Sequence, residues 1–417
     1  MLKKIRTDQL QLGMHLHALC GPWLSHPFWR TKFVLSDSRD LAAMRSSAVG
    51  ECWIDTGKGF DTPVDAAPAA PPVAANIEPK PAEPPRNAPN TLAHTTLEQE
   101  LEQATLLCGQ AKQTVIDLFG QVRMGHALDA ESCLPMVEAI SQSVQRNSGA
   151  LLGLVRLKSR DDYTYMHSVA VCTLMVALAQ KMGLSEAEVR EAGLAGMLHD
   201  VGKARMPLDV LNKPGKLTQE EYELMKRHPR IGHGLLVAGG VGSAIALDVC
   251  LRHHERPDGK GYPDALSAKA LGVHARMGAV CDVYDAITSR RPYKEPWGPA
   301  ESISQMSEWT KAGQFDPMVF RAFVNCVGIY PVGSLVRLQS ERLAVVIEQN
   351  KTSLVAPCVK VFYSIRSKMP VPVEAVDLAR PGCRDRIVGR ESNGEWRFPF
   401  LDELSIPGST VQRRRTA

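Results

Sequence analysis

No Cys-x-x-Cys pair occurs anywhere in the chain. Its ten cysteines are scattered over 417 residues, a pattern that fits a reducing compartment better than a disulfide framework. A long apolar run is also missing. The longest uncharged apolar stretch, residues 234–247, is too short and too rich in glycine to span a bilayer. The basic start MLKKIR leads into the polar TDQLQLG, so no secretory signal is read. Together these absences point to a cytoplasmic protein without membrane insertion. Charge of one sign is in little excess, at a formal +4. No basic stripe interleaved with aromatics is present, so a nucleic-acid polymer is not the expected partner. The cluster Arg413, Arg414 and Arg415 reads as a solvated tail.

What is present is a globular composition, 44% hydrophobic and 23% charged, in a chain long enough for two or three domains. Residues 1–61 read as a small α/β unit in an N-terminal, regulatory position. VLSDSRDLAAMRSSAV suggests a strand entering a short helix, and ECWIDTG another strand. Aromatics make up only 6% of the chain, yet Trp23, Phe28, Trp29, Phe33, Trp53 and Phe60 crowd this stretch. A small core needs bulky side chains to bury enough area, so core packing is expected of them. Residues 62–94 are rich in Pro and Ala and read as an extended, partly stiff linker.

Helical periodicity returns at about Thr95, with Leu97, Leu101, Leu106 and Val115 spaced for one face, and a second helix covers about 133–146. This segment, 95–149, either builds onto the following core or forms a dimerising helical pair. The stretch 150–335 is almost entirely helical. Ser185 with Glu188 and Thr218 with Glu221 make capping boxes, and Ser243 caps the helix that delivers His253 and His254. A last core helix, about 270–289, carries Asp282 and Asp285 one turn apart. From about Gly328 onward GSLVRLQ, AVVIEQN and VKVFYSI alternate like strands, so 336–417 is expected to be a mostly β appendage that packs on the core. The fold class read is mainly α, with small α/β and β additions at the two ends.

The chemistry concentrates in HDVGK, from His199, and HHERPDGKGYP, from His253. Five of the 12 histidines, His167, His199, His228, His253 and His254, lie in or near helices of one region. With Asp200 and Asp282 they form the ordered series H…HD…H…HH…D. Imidazole nitrogen and carboxylate oxygen both suit Fe, Mn, Ni or Zn. Seven N/O ligands exceed what one ion takes, whereas two divalent ions sharing Asp200 would use them well. No cysteine is placed to help, which points away from a structural zinc site. Water held between two such cations would ionise near neutral pH and be poised for in-line attack on phosphorus.

At these motifs the sequence resembles the HD-GYP family, metal-dependent phosphodiesterases of the HD superfamily that hydrolyse the bacterial second messenger cyclic di-GMP. The resemblance covers about 150–335 and rests on DDYTYMHS, HDVGKARMPLDVLNKPGKLTQEE, HPRIGHGLL, HHERPDGKGYP and CDVYDAITSRRPYK. Residues 1–61 also resemble the small domain of unknown function that often precedes HD-GYP domains. By that resemblance His167, His199, Asp200 and Asp282 would hold one metal, and Asp200, His228, His253 and His254 the other. Lys203 would face the phosphate, stabilising its charge or protonating the leaving oxygen. Arg291 and Lys294 would grip phosphates, and Tyr262 would lie against a guanine. Asp285 would reach either a guanine edge or the partner of a ligand, and Glu255 would orient a histidine. Some family members bind a third metal through a glutamate four residues before the position of His167. Tyr163 stands there, so two metals are expected.

The resemblance implies linearisation of cyclic di-GMP to pGpG, continuing on to GMP in some cases. The competing readings are an HD-type phosphohydrolase for another nucleotide and a cyclic di-GMP receptor that does not turn over. Candidate protein partners are a second copy of the chain, or a signalling protein met through the N-terminal domain or the GYP loop.

Overall fold

The computed structural model describes residues 2–19, 33–45, 51–60, 96–157, 163–289, 296–350 and 352–406. The chain divides into two compact units, Met1–Ala88 and Pro89–Ala417. The first contains β1 (Leu2–Arg6), β2 (His15–Leu19), β3 (Phe33–Val34), α1 (Ser38–Arg45) and β4 (Glu51–Asp55). Its antiparallel sheet runs β1-β4-β2-β3. Among the described residues the aromatics do not make up the core. Ile5, Leu10, Met14, Leu16, Leu35, Met44, Cys52 and Ile54 form the core, and Phe33 only packs against it. Side chains of a strand alternate between faces. Cys52 and Ile54 therefore point inward, while Trp53 between them is 38% exposed and Phe60 is 70% exposed. Trp23, Phe28 and Trp29, like the linker at 62–94, lie outside the described residues.

The second unit opens with α2 (Leu97–Met124) and α3 (Leu134–Val155). Thr96 and Gln99 cap α2 reciprocally. Its buried face runs through Leu97, Ala104, Leu107, Ala111, Val115, Leu118 and Val122, and Leu106, expected on that face, is 71% exposed. Glu100 is fully buried and fastens α2 to α3, accepting from Ser143 Oγ (2.8 Å) and from Arg146 Nε and Nη2 (2.8 and 2.7 Å). The second helix extends past its expected end at Arg146 and is broken next door, at Asn147 (φ −157, ψ 99).

Next come α4 (Tyr163–Lys181), α5 (Glu186–Leu198), α6 (Leu208–Leu211), α7 (Gln219–Met225), α8 (His228–Ala238), α9 (Ala244–Arg252), α10 (Val273–Thr288), α11 (Pro299–Lys311) and α12 (Pro317–Val327). Every residue of α4 from His167 to Ala179 is buried. A helix apolar all round belongs at the centre of a bundle, and α4 is that centre. The α2–α3 pair shares one hydrophobic core with α4, α5 and α12. Of the two readings of residues 95–149, the structure realises the one that builds onto the following helices.

A five-stranded antiparallel sheet follows: β5 (Leu335–Leu338), β6 (Arg342–Glu348), β7 (Cys358–Ser364), β8 (Met369–Asp377) and β9 (Ile387–Arg390), in the order β8-β7-β6-β5-β9. Short helices α13 (Asn393–Trp396) and α14 (Leu401–Leu404) end the described chain. The appendage packs on the helical core. Arg156, at the end of α3, donates to Asp402 (3.1 Å) and Ser405 Oγ (3.0 Å). Among the described residues no helix is long and apolar enough to cross a membrane, and every cysteine there is a free thiol.

Candidate metal centre

Helix ends build the site. His167 lies near the start of α4, His199 caps the C-terminus of α5, and Asp200 follows it into a 3-10 turn, Val201–Arg205. His228 is the first residue of α8, His253 caps the C-terminus of α9, and Asp282 sits within α10. The caps expected at Ser185, Thr218 and Ser243 are all present. Gly202 of HDVGK has a steric purpose, because a Cβ there would come within 2.0 Å of the His228 carbonyl oxygen. Only glycine lets the two ligand-bearing segments approach so closely.

The seven residues converge as two groups, Asp200 with His228, His253 and His254, and His167 with His199 and Asp282. Within each, one ligand atom per residue lies within 4.8 Å of the others. Asp200 straddles them. Its Oδ2 lies 3.3 Å from His199 Nε2 and 3.5 Å from His167 Nε2, and its Oδ1 is 3.2 Å from His228 Nε2 and 3.8 Å from His253 Nε2. Asp282 Oδ1 is 3.0 Å from His167 Nε2, and its Oδ2 is 3.7 Å from His254 Nδ1.

Each Nδ1 of four histidines faces an acceptor: the Gly196 carbonyl for His199 (2.8 Å), Met225 for His228 (2.8 Å), Val249 for His253 (3.0 Å), and the Asp285 carboxylate for His167 (2.6 Å). An acceptor there places the proton on Nδ1 and leaves Nε2 as a lone pair. Those Nε2 atoms nevertheless face one another, at 3.3 Å between His167 and His199 and at 3.3 Å between His228 and His253. Among the described residues Asp200 Oδ1 is buried without a hydrogen-bond donor. Lone pairs and carboxylates aimed at common points, with too few protons between them, fit divalent cations. These residues suit such ions.

The protonation states agree. Burial pushes the His253 imidazole well below its ordinary pKa, helped by His254, His199 and His228; burial likewise brings His254 down to about 3. Burial alone would raise Asp200, but the Lys203 ammonium and His199 hold it well below the usual carboxylate range. Asp282 is also held well below that range, burial being outweighed by His167 and His254. His167 moves the other way. Burial would lower it, yet hydrogen bonds to Asp282 and Asp285 raise it.

The remaining sequence-predicted residues divide. Lys203 Nζ lies 2.5 Å from Asp200 Oδ2. Asp285, left between a guanine edge and a ligand's partner, is buried with its Oδ2 2.6 Å from His167 Nδ1. Glu255 does not orient a histidine. Its buried carboxylate accepts from the Asp264 and Leu266 amides (2.6 and 2.9 Å), because the GYP loop folds back over it. Tyr262, expected against a guanine, has its ring stacked on His254, with centroids 4.6 Å apart. Arg291, Lys294 and the Tyr163 side chain lie outside the described residues. Sequence reasoning missed Lys226, whose ammonium lies 5.8 Å from the Tyr262 ring centroid. It also missed the backbone carbonyls behind the histidines. Those stand three or four residues upstream, where a helix end leaves carbonyls free, so the signal was the position of each histidine at a helix end.

Two family models match the chain: a domain of unknown function (DUF3391) over residues 2–133, and an HD domain over 143–319. The first match runs beyond residue 61 and includes α2. A cyclic di-GMP phosphodiesterase of Pseudomonas aeruginosa is 54% identical over 408 residues, 97% of this chain and 95% of that protein. A cyclic di-GMP phosphodiesterase response regulator of Xanthomonas campestris is 41% identical over 197 residues, 46% of this chain and 50% of its own length. A cyclic di-GMP phosphodiesterase of Thermotoga maritima is 39% identical over 167 residues, 40% of this chain and 45% of its own length.

Proposed function

Because this chain belongs to the HD-GYP family of HD-domain phosphodiesterases, we propose that it hydrolyses cyclic di-GMP, opening one phosphodiester to give linear pGpG. The observation that carries the reading is the Asp200 carboxylate, whose two oxygens divide between two histidine groups. In this reading two divalent ions, of Fe, Mn or Ni, are held by His167, His199, Asp200 and Asp282 on one side and by Asp200, His228, His253 and His254 on the other. Bound there, such ions supply Lewis acidity toward a phosphoryl oxygen and lower the pKa of water.

The chain's own residues do the rest. The Nδ1 contacts hold four imidazoles in one tautomer, so their Nε2 lone pairs need no reorganisation when a ligand arrives. Lys203 keeps Asp200 ionised, and its ammonium, 2.5 Å from the carboxylate, is assigned to a phosphate bound over the centre. There it neutralises charge that develops on phosphorus oxygens or protonates the departing ribose oxygen. Arg291 and Lys294 follow the Asp282 helix in sequence and are assigned to the phosphates of the dinucleotide.

The test pairs metal content with product analysis on one anaerobically handled preparation. About two ions per chain and a pGpG product, both lost in Asp200→Ala, are expected. Two ions with tight cyclic di-GMP binding and no product would make the protein a receptor instead. Fewer than two ions after supplying Fe, Mn and Ni in turn would overturn the ligand assignment.

A further inference from the structure

His254 is held differently from its neighbours. The other four imidazoles of the centre each donate from Nδ1 to a carbonyl or carboxylate at 2.6–3.0 Å. Among the described residues His254 makes no such bond, and its Nδ1 lies 3.7 Å from Asp282 Oδ2. Three rings pack on it: His253 at 4.1 Å and tilted, His228 at 5.0 Å and edge-on, and Tyr262, the one that lies near parallel, at 4.6 Å with 25° between the planes. The loop that brings Tyr262 there is built to do so. The Tyr262 amide donates to the His254 carbonyl (3.2 Å), so the two residues are tied by backbone as well as by ring. A Cβ on Gly261 would come within 2.4 Å of the Arg256 amide nitrogen and 2.5 Å of Glu255 Cα, so the turn closes only with glycine at that position. Glu255, 2% exposed, then clamps the far limb of the loop through the Asp264 and Leu266 amides. The Lys226 ammonium lies over the Tyr262 ring, 5.8 Å from its centroid, within reach of a cation–π contact.

We infer that Tyr262 is a positioning residue for the metal ligand His254: its ring takes the place of the hydrogen bond that orients the other four imidazoles. The inference rests on the ligand assignment proposed above and departs from the expectation of a guanine platform. It gives the tyrosine of the GYP segment a duty toward the metal rather than toward the base. The ring is what matters, not the hydroxyl.

The experiment titrates Mn2+ into the metal-free full chain, following stoichiometry and affinity by calorimetry, with Tyr262→Ala and Tyr262→Phe beside the wild type. Tyr262→Phe is expected to bind as the wild type does. Tyr262→Ala is expected to lose about 10- to 100-fold in affinity at one of two sites, the range seen when the group orienting a ligand is removed. Its Michaelis constant for cyclic di-GMP at saturating metal should stay within about two-fold of wild type. Thermal melts of the metal-free variants check that both fold. Wild-type metal affinity in Tyr262→Ala with a raised Michaelis constant would overturn the inference and return the ring to the substrate. Equal loss in Tyr262→Phe would overturn it too, by assigning the effect to the hydroxyl. If the wild type binds two ions but releases no pGpG, the functional proposal falls while the titration still reads the role of Tyr262.

Discussion

Asp285 is a buried carboxylate one turn from Asp282, a proposed ligand. Its Oδ2 sits 2.6 Å from His167 Nδ1, so it fixes that imidazole's proton and raises its basicity. Asp285→Asn keeps the size and removes the charge. Metal affinity at the His167 group is expected to fall by about 10- to 100-fold, read by titration of the metal-free protein, with the fold intact by circular dichroism. The histidines of the centre were legible in the sequence because each stands at a helix end inside a recognisable motif. The choice facing Asp285 was not, because it depends on how far α10 is rotated against α4. Glu255 was misjudged for a related reason. Its partners, Asp264 and Leu266, lie 9 and 11 residues away along a loop whose path no periodicity describes.

Among the elements, α2 illustrates where pattern reading slips. Leu97 and Leu101 are one turn apart, but Leu106 is five residues on, which rotates it well off the stripe. The stripe continues instead through Ala104, Leu107 and Ala111, two of them alanines, which a reader tracking large residues passes over. Strand β8 escaped notice through Pro370 and Pro372. As the edge strand of its sheet it has one row of amides with no partner to lose, so prolines are tolerated. The α2–α3 clamp carries its own prediction. Glu100→Ala removes the fully buried carboxylate that Ser143 and Arg146 share, the Arg146 side chain being 21% exposed. Discounted for that exposure, the loss is expected to be about 2–3 kcal/mol. It should appear as a lower denaturant midpoint with an unchanged slope.

For the molecule as a whole, the centre ties stability to pH. In the metal-free protein, His253 and His254 have folded pKa values below the ordinary 6.5, about 3 for His254. Their contribution is complete above 6.5 and is lost as pH falls toward the folded value, because the unfolded chain takes up protons first. Asp200 and Asp282, also lowered, act in the same sense below the ordinary carboxylate range. His167, raised, opposes them, its contribution being lost as pH rises through its folded value. With the two lowered histidines outweighing the one raised, the metal-free melting temperature is expected to drop between pH 7 and pH 5. A calorimetric scan at both pH values checks it, and an unchanged or higher value at pH 5 would contradict it. Metal at 100 times its dissociation constant should add about 2.7 kcal/mol per site at neutral pH and less at pH 5, where protons compete for the same nitrogens.

The convergent residues are spread from His167 in α4 to Asp282 in α10, and the turn or helix that carries each makes no site by itself. A chain still emerging from the ribosome therefore holds an incomplete ligand set until α10 has been made and packed. Completion of the centre is thus a late event in synthesis, and a chain cut short before α10 lacks Asp282 and cannot bring the full set together.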